Sequence, residues 1–188
     1  MANNALITKY FRLHNVRQFI ESITEPANTI YFAFAGKPSQ YTYGDNTIDP
    51  PVHTVQNLNT TVYDEMVFAK QITENDVKAM AHKYLWTTGT VYSMYDNQDP
   101  DLENKAFYVV SKEGGTYYIF KCLYNNGGVP STSQPLFSAT GASDPHYETS
   151  DGYVWKYMYQ LDDTTYNKFV TDVYIPVVPD ANVSANAV

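Results

Sequence analysis

The pattern of apolar and polar residues along the chain predicts mostly strands. Five runs combine β-branched or aromatic residues with flanking turn residues. They are residues 29–35, 106–111, 116–124, 153–161 and 173–178. The first is apolar on both faces, so we expect it to be buried on both sides. Residues 112–115, Lys-Glu-Gly-Gly, have the composition of a hairpin turn between the second and third runs.

Helical periodicity is confined to short segments. One apolar stripe predicts a helix of about ten residues that ends before Pro26; its members are Val16, Phe19, Ile20 and Ile23. Val55, Leu58 and Val62 favour a second helix within residues 52–64. Residues 73–76, Thr-Glu-Asn-Asp, resemble a capping box and predict a third helix up to about Tyr84. Residues 5–13 fit neither period cleanly and are open to two interpretations, a strand or a lead-in to the following helix, of which we favour the strand.

These elements predict a mainly β fold with two or three short α-helices at its periphery. A chain of 188 residues is long enough for one domain with its own core. We therefore expect a single β-rich domain over residues 1–188. Residues 38–51 and 125–151 are two long loops rich in Gly, Pro, Ser and Thr, with little that could pack on itself.

Charge makes nucleic acid and anionic membranes poor partners. The net charge is −8, and only Arg12 and Arg17 among the basic residues are arginine, the side chain best suited to phosphate. No run approaches the 18 or more apolar residues of a spanning helix, and no basic segment precedes an apolar one at the start. We expect a chain that is made without secretion and has neither a membrane nor a nucleic-acid partner.

Candidate catalytic residues are isolated in the sequence. The histidines His14, His53, His82 and His146 are too far apart to share a helical face, and Cys122 lies within a strand-like run. The acidic cluster at residues 96–103 fails the calcium-loop pattern, and no nucleotide-binding or hydrolase motif occurs. We therefore expect no catalytic residue, cofactor or metal. A hydrolase built from scattered residues is the weakest alternative.

Eighteen tyrosines are the most unusual feature of the composition. Tyrosine offers a large contact surface with a polar tip and is enriched at protein interfaces. The two long loops carry four aromatic residues that are poorly suited to water, and we take them as interface candidates: Tyr41, Tyr43, Phe137 and Tyr147. Half-burial of many tyrosines in a sheet is the ordinary alternative. A surface that binds glycans or a host through the loop tyrosines is the alternative function.

Three segments, taken in order, resemble one family. They are Asn-Thr-Ile-Tyr-Phe-Ala-Phe at residues 28–34 with Gly-Lys-Pro at 36–38, Asp-Pro-Pro at 49–51, and Asp-Gly-Tyr-Val-Trp-Lys-Tyr-Met-Tyr at 151–159. Together they resemble the baseplate wedge subunit encoded by gene eight of T-even-type contractile-tailed bacteriophages. The last segment is the most specific, and its first five residues form the signature segment: Asp151, Gly152, Tyr153, Val154 and Trp155.

The resemblance implies a non-enzymatic virion protein with a β-sandwich core and helices in its connecting loops. It also implies dimers built into wedges around the tail hub, contacts with other wedge proteins, and assembly in the host cytoplasm. No catalytic or cofactor residues come with it. Family members continue well beyond Pro179, so the resemblance implies either a shorter relative or the N-terminal part of a longer chain.

Overall fold

The computed structural model describes residues 8–24, 30–36, 54–57, 59, 63–140 and 146–178. The chain divides into two compact units, residues 1–77 and 78–188, which are described separately below. The expectation of a single domain stays a prediction. A mainly β fold with a few helices is confirmed.

Unit 1 combines one long helix with a two-stranded sheet. Its elements are α1 (Lys9–Thr24), β1 (Tyr31–Gly36), α2 (Val55–Asn57) and β2 (Met66–Ile72). β1 and β2 pair antiparallel, with Tyr31 opposite Ile72 and Phe34 opposite Ala69. A 3-10 turn at Glu74–Asp76 follows β2.

Unit 2 contains two sheets. Its elements are β3 (Met80–His82), β4 (Tyr108–Glu113), β5 (Thr116–Asn125), α3 (Phe137–Thr140), β6 (His146–Glu148), β7 (Tyr153–Leu161), α4 (Asp163–Phe169) and β8 (Tyr174–Pro176). The larger sheet has the order β4-β5-β7-β6 with every pair antiparallel, and β3 pairs with β8 in the smaller one. Gly114 and Gly115 both adopt positive φ in the predicted hairpin turn between β4 and β5.

Each face of the four-stranded sheet carries a buried apolar cluster. On one face Val109, Phe120 and Trp155 pack with Tyr92 from the preceding loop. On the other face Val110, Ile119 and Leu161 pack against Ile175 of β8, so the smaller sheet covers the larger one. Alternation along the strands produces this division, because successive side chains point to opposite faces.

A bulge in β7 moves the end of that strand to the other face. Ile119 pairs with Tyr159 whereas the next residue, Phe120, pairs with Tyr157, which leaves Met158 as the extra residue. Simple alternation places Tyr159 beside Trp155. The structure instead packs Tyr159 with the cluster around Ile119, so that expectation is wrong for Tyr159.

The interpretation of residues 5–13 as a strand is wrong for the part that the structure describes. Helix α1 begins at Lys9, so Phe11 and Leu13 lie inside it. The backbone N–H of Phe11 donates to Thr8 Oγ1 over 3.3 Å, which satisfies one of the free donors of the first turn. The threonine in front of the helix is a capping residue that indicates where the helix begins. Apolar periodicity alone does not take capping residues into account.

The helix expected after residue 73 is also wrong. The capping contacts do form, since Thr73 N–H donates to Asp76 Oδ2 over 3.1 Å. Val77 then turns extended, and β3 pairs with β8 nearly a hundred residues later. Ala81 joins the core around Ile175, so packing against a distant strand overrides the local helical pattern. Of residues 52–64, where a helix was expected, the structure describes 54–57, 59, 63 and 64; α2 is helical, as are residues 59 and 63.

Candidate functional site

The signature segment, residues 151–155, forms the turn that leads into β7. Asp151 Oδ2 accepts hydrogen bonds from Ser131 Oγ over 2.8 Å and from the backbone N–H groups of Thr132 and Ser133 over 2.7 and 2.9 Å. Asp151 Oδ1 accepts from Thr149 Oγ1. One carboxylate thus joins the segment after β5 to the start of β7.

These hydrogen bonds hold Asp151 in its charged form. Partial burial by itself raises the pKa of the carboxyl, but donors from Thr149, Ser133 and Ser131 outweigh it and lower the pKa to about 2. The ion is therefore a structural anchor that accepts hydrogen bonds on both of its oxygens.

Gly152 allows the turn that positions the anchor. Its φ is +78°, and a Cβ at this position would lie 2.9 Å from Asn126 Nδ2. That amide group donates to the carbonyl oxygen of Asp151 over 3.0 Å. A glycine is required here both for backbone conformation and for space.

Tyr153 and Trp155 form the centre of the larger core. Both side chains are 0% exposed, and their rings stack with centroids 5.5 Å apart. The Tyr153 hydroxyl donates to the carbonyl oxygen of Val129, whereas Trp155 Nε1 has no hydrogen-bond partner among the residues that the structure describes. Val154, between them, is half-buried and pairs with Tyr124 and Glu148 across the sheet. The signature segment therefore serves the fold of unit 2.

The described residues 125–140 and 146–151, which were expected to pack little on themselves, pack against the larger sheet of unit 2. Phe137 stacks on Tyr118 with ring centroids 4.8 Å apart, and Tyr147 packs edge-on against Phe120. The Tyr147 hydroxyl accepts a hydrogen bond from the backbone of Leu136. The segment is stabilised by the aromatic face of the sheet that it crosses.

Of the four interface candidates, the structure describes two. Phe137 and Tyr147 are half-buried within unit 2, and both pack against its larger core. Tyr41 and Tyr43 lie outside the described residues. An interface role for these four residues stays a prediction, but Phe137 and Tyr147 already have an internal structural role.

The candidate chemical groups lie apart from one another. Cys122 is fully buried, and burial raises the pKa of its thiol to about 12, so the nucleophilic thiolate is suppressed. His82 packs on Tyr174, and His146 lies on β6. Within the described ranges, no group of three or more His, Cys, Asp or Glu side chains could hold a metal ion. None of the described helices combines the length and apolar character that a membrane span requires.

Unit 1 exposes an apolar sheet surface that sequence reasoning missed. Phe32 and Phe34 of β1 share one face of the hairpin with Ile30, which directly precedes the strand, and we call these residues the hairpin face: Ile30, Phe32 and Phe34. Their exposed fractions are 65%, 60% and 50%. The expectation that residues 29–35 are buried on both sides is therefore wrong for residues 30–35.

Helix α1 contacts the hairpin on its opposite face. Phe19 of α1 packs edge-on against Tyr31, with ring centroids 5.9 Å apart. Tyr31 alternates with Phe32, so this contact leaves the hairpin face uncovered. Neither β1 nor β2 pairs with a third strand among the described residues. Continuous apolar character predicted the strand but not what would cover it.

No known family model matches the chain, and a search of curated proteins finds no match either. The function therefore has to be inferred from the geometry and chemistry of the chain itself.

Proposed function

We propose that this chain is a non-enzymatic structural subunit of a phage tail baseplate wedge. In this role it binds neighbouring wedge proteins, and a second copy of itself, through polar and aromatic surfaces in a virion assembled in the host cytoplasm. The resemblance of residues 28–38, 49–51 and 151–159 to that family supports the proposal.

The hairpin face is the observation that carries the proposal. Soluble monomers rarely expose a contiguous apolar patch, and those that do generally use it for binding. A two-stranded hairpin is also marginal by itself, because one face must be buried for it to persist. Two half-exposed phenylalanines beside Ile30 are therefore well explained as a surface that an adjacent subunit covers.

Replacing the aromatic residues of this face tests the proposed function. A chain with Phe32→Ser and Phe34→Ser should fold but fail to enter tail particles, since the assembly then gains little from burying the hairpin face. Incorporation is measured by mass spectrometry of tails purified from the virus that carries the gene. The matched control is Tyr124→Ser, an aromatic residue 48% exposed on β5 of unit 2.

Normal incorporation of the doubly substituted chain would contradict the assignment of the hairpin face to an assembly contact. Absence of the unaltered chain from purified tails would contradict the baseplate role itself.

A further inference from the structure

Three basic residues form a row across the larger sheet of unit 2. Lys121 of β5 pairs with Lys156 of β7, and Lys156 pairs with His146 of β6 on its other side. Directly opposite residues in antiparallel strands share a face, so all three lie on one side of the sheet. We call Lys121, Lys156 and His146 the basic row. The chain as a whole has 20 acidic and only 12 Lys and Arg residues, so this grouping runs against its overall charge.

The two lysines destabilise each other in the isolated chain. Like charges directly opposite in a sheet repel, and neither lysine forms an ion pair within the described part of the chain. Desolvation by burial lowers the pKa of Lys121, and the charge of Lys156 lowers it further. Among the described residues, the Lys121 ammonium is stabilised by the Tyr95 ring, 4.0 Å from Nζ to the centroid.

An apolar recess of about 160 Å³ opens beside the basic row. Phe107, Met158 and Val177 are among its walls, and Lys121 is its one charged lining residue. Met158 is the bulged residue of β7 and is 44% exposed. The bulge thus presents a flexible apolar side chain next to an ammonium group that lacks a carboxylate partner.

We propose that the basic row and this recess form a docking surface for an acidic segment of another protein, which places a carboxylate at Lys121 and Lys156 and an apolar side chain in the recess. The carboxylate relieves the repulsion between the lysines, and the apolar side chain covers Met158 and Phe107. The walls of the recess favour a peptide over a polyphosphate, because they offer apolar contact and no arginine. This surface lies in unit 2 and does not depend on the hairpin face or on the baseplate proposal.

A designed peptide tests this docking surface. The probe is fluorescein-labelled Gly-Glu-Leu-Glu-Gly, and its binding to the full chain is followed by fluorescence anisotropy at low and at moderate salt. We expect the affinity for the probe to fall as the salt concentration rises. In Lys121→Gln or Lys156→Gln the affinity should fall by about fivefold, the effect of losing one screened charge pair. Lys78→Gln, at an exposed lysine of the same unit, should bind like the unaltered chain. The Gly-Glu-Ser-Glu-Gly peptide should bind more weakly, since serine cannot fill the recess.

Stability of the same variants separates a binding role from a structural one. Removing either lysine relieves repulsion, so the melting temperature should stay the same or rise. A marked fall in both variants would show that the lysines stabilise the free fold and would overturn the proposal. The proposal would also be overturned if the acidic probe did not bind, or if Gly-Lys-Leu-Lys-Gly bound equally well. Tighter binding of a single-stranded oligonucleotide would overturn it too, as would self-association of the chain that Lys156→Gln abolishes.

Discussion

Replacing Trp155 by alanine should lower the free energy of unfolding by about 3–5 kcal/mol, the usual cost of deleting a large buried aromatic side chain. Trp155 is fully buried, stacks on Tyr153 and contacts Tyr92 edge-on at 5.7 Å between centroids. Within the described part of the chain its indole N–H has no hydrogen-bond partner, so we attribute the loss to packing. Urea denaturation followed by the fluorescence of Trp86, the other tryptophan of the chain, measures it.

Met158→Ala is the matched control for this prediction. Met158 lies on the same strand but is 44% exposed, so its truncation should cost less than about 1 kcal/mol. Equal losses in the two variants, or an unchanged unfolding midpoint in Trp155→Ala, would show that the core of unit 2 is not centred on β7.

Asp151→Asn should destabilise the chain by about 2–3 kcal/mol at neutral pH, since the charged acceptor of several hydrogen bonds is lost. The amide nitrogen of asparagine would replace one of the two carboxylate oxygens, and it cannot accept a hydrogen bond. It would face either the hydroxyl of Thr149 or the donors of the other set, which are Ser131, Thr132 and Ser133. Circular dichroism in urea gives the free energies. Asp172→Asn, an exposed carboxylate of the same unit, should change stability by less than about 0.5 kcal/mol.

The effect of Asp151 should depend on pH in a defined direction. Folding lowers the pKa of Asp151 from 3.8 to about 2, so the folded state binds the proton less tightly than the unfolded state does. The lowered pKa stabilises the folded state by about 2 kcal/mol above pH 4, and this contribution is lost as pH falls towards 2. The difference between the unaltered chain and Asp151→Asn should therefore shrink between pH 5 and pH 2. A difference independent of pH would mean that the anchor is not ionised in the fold.

Local pattern was sufficient for the central hairpin and for β7. In β4, β5 and most of β7, successive core residues alternate between the two clusters on opposite faces of the sheet, because each face packs against other parts of unit 2. The pattern failed at Tyr159, because the bulge at Met158 is a property of pairing with β5. It failed again at β3, whose partner β8 lies far away in sequence.

The sequence also did not show what stabilises the loop before β7. Its stability depends on groups outside the loop, such as Glu113 Oε2, which accepts from the backbone N–H groups of Phe137 and Ser138 over 2.7 and 3.2 Å. Gln134 Nε2 likewise donates to Ser111 Oγ over 2.9 Å. Composition shows that a segment has few apolar residues. It cannot show that hydrogen-bond partners for the segment lie on a nearby strand. The hairpin face was missed because strand character does not reveal what covers a strand.

Oxidative footprinting of the hairpin face in the free chain and in purified tails is the most direct test of the proposed assembly role. Hydroxyl radicals label exposed phenylalanines, and mass spectrometry reads the label at Phe32 and Phe34. Burial of the hairpin face by a neighbouring subunit predicts strong labelling in the free chain and several-fold protection in tails, with labelling of the buried Trp155 low in both. Equal labelling of Phe32 and Phe34 in the two states would contradict the proposal that this face holds the chain in the assembly.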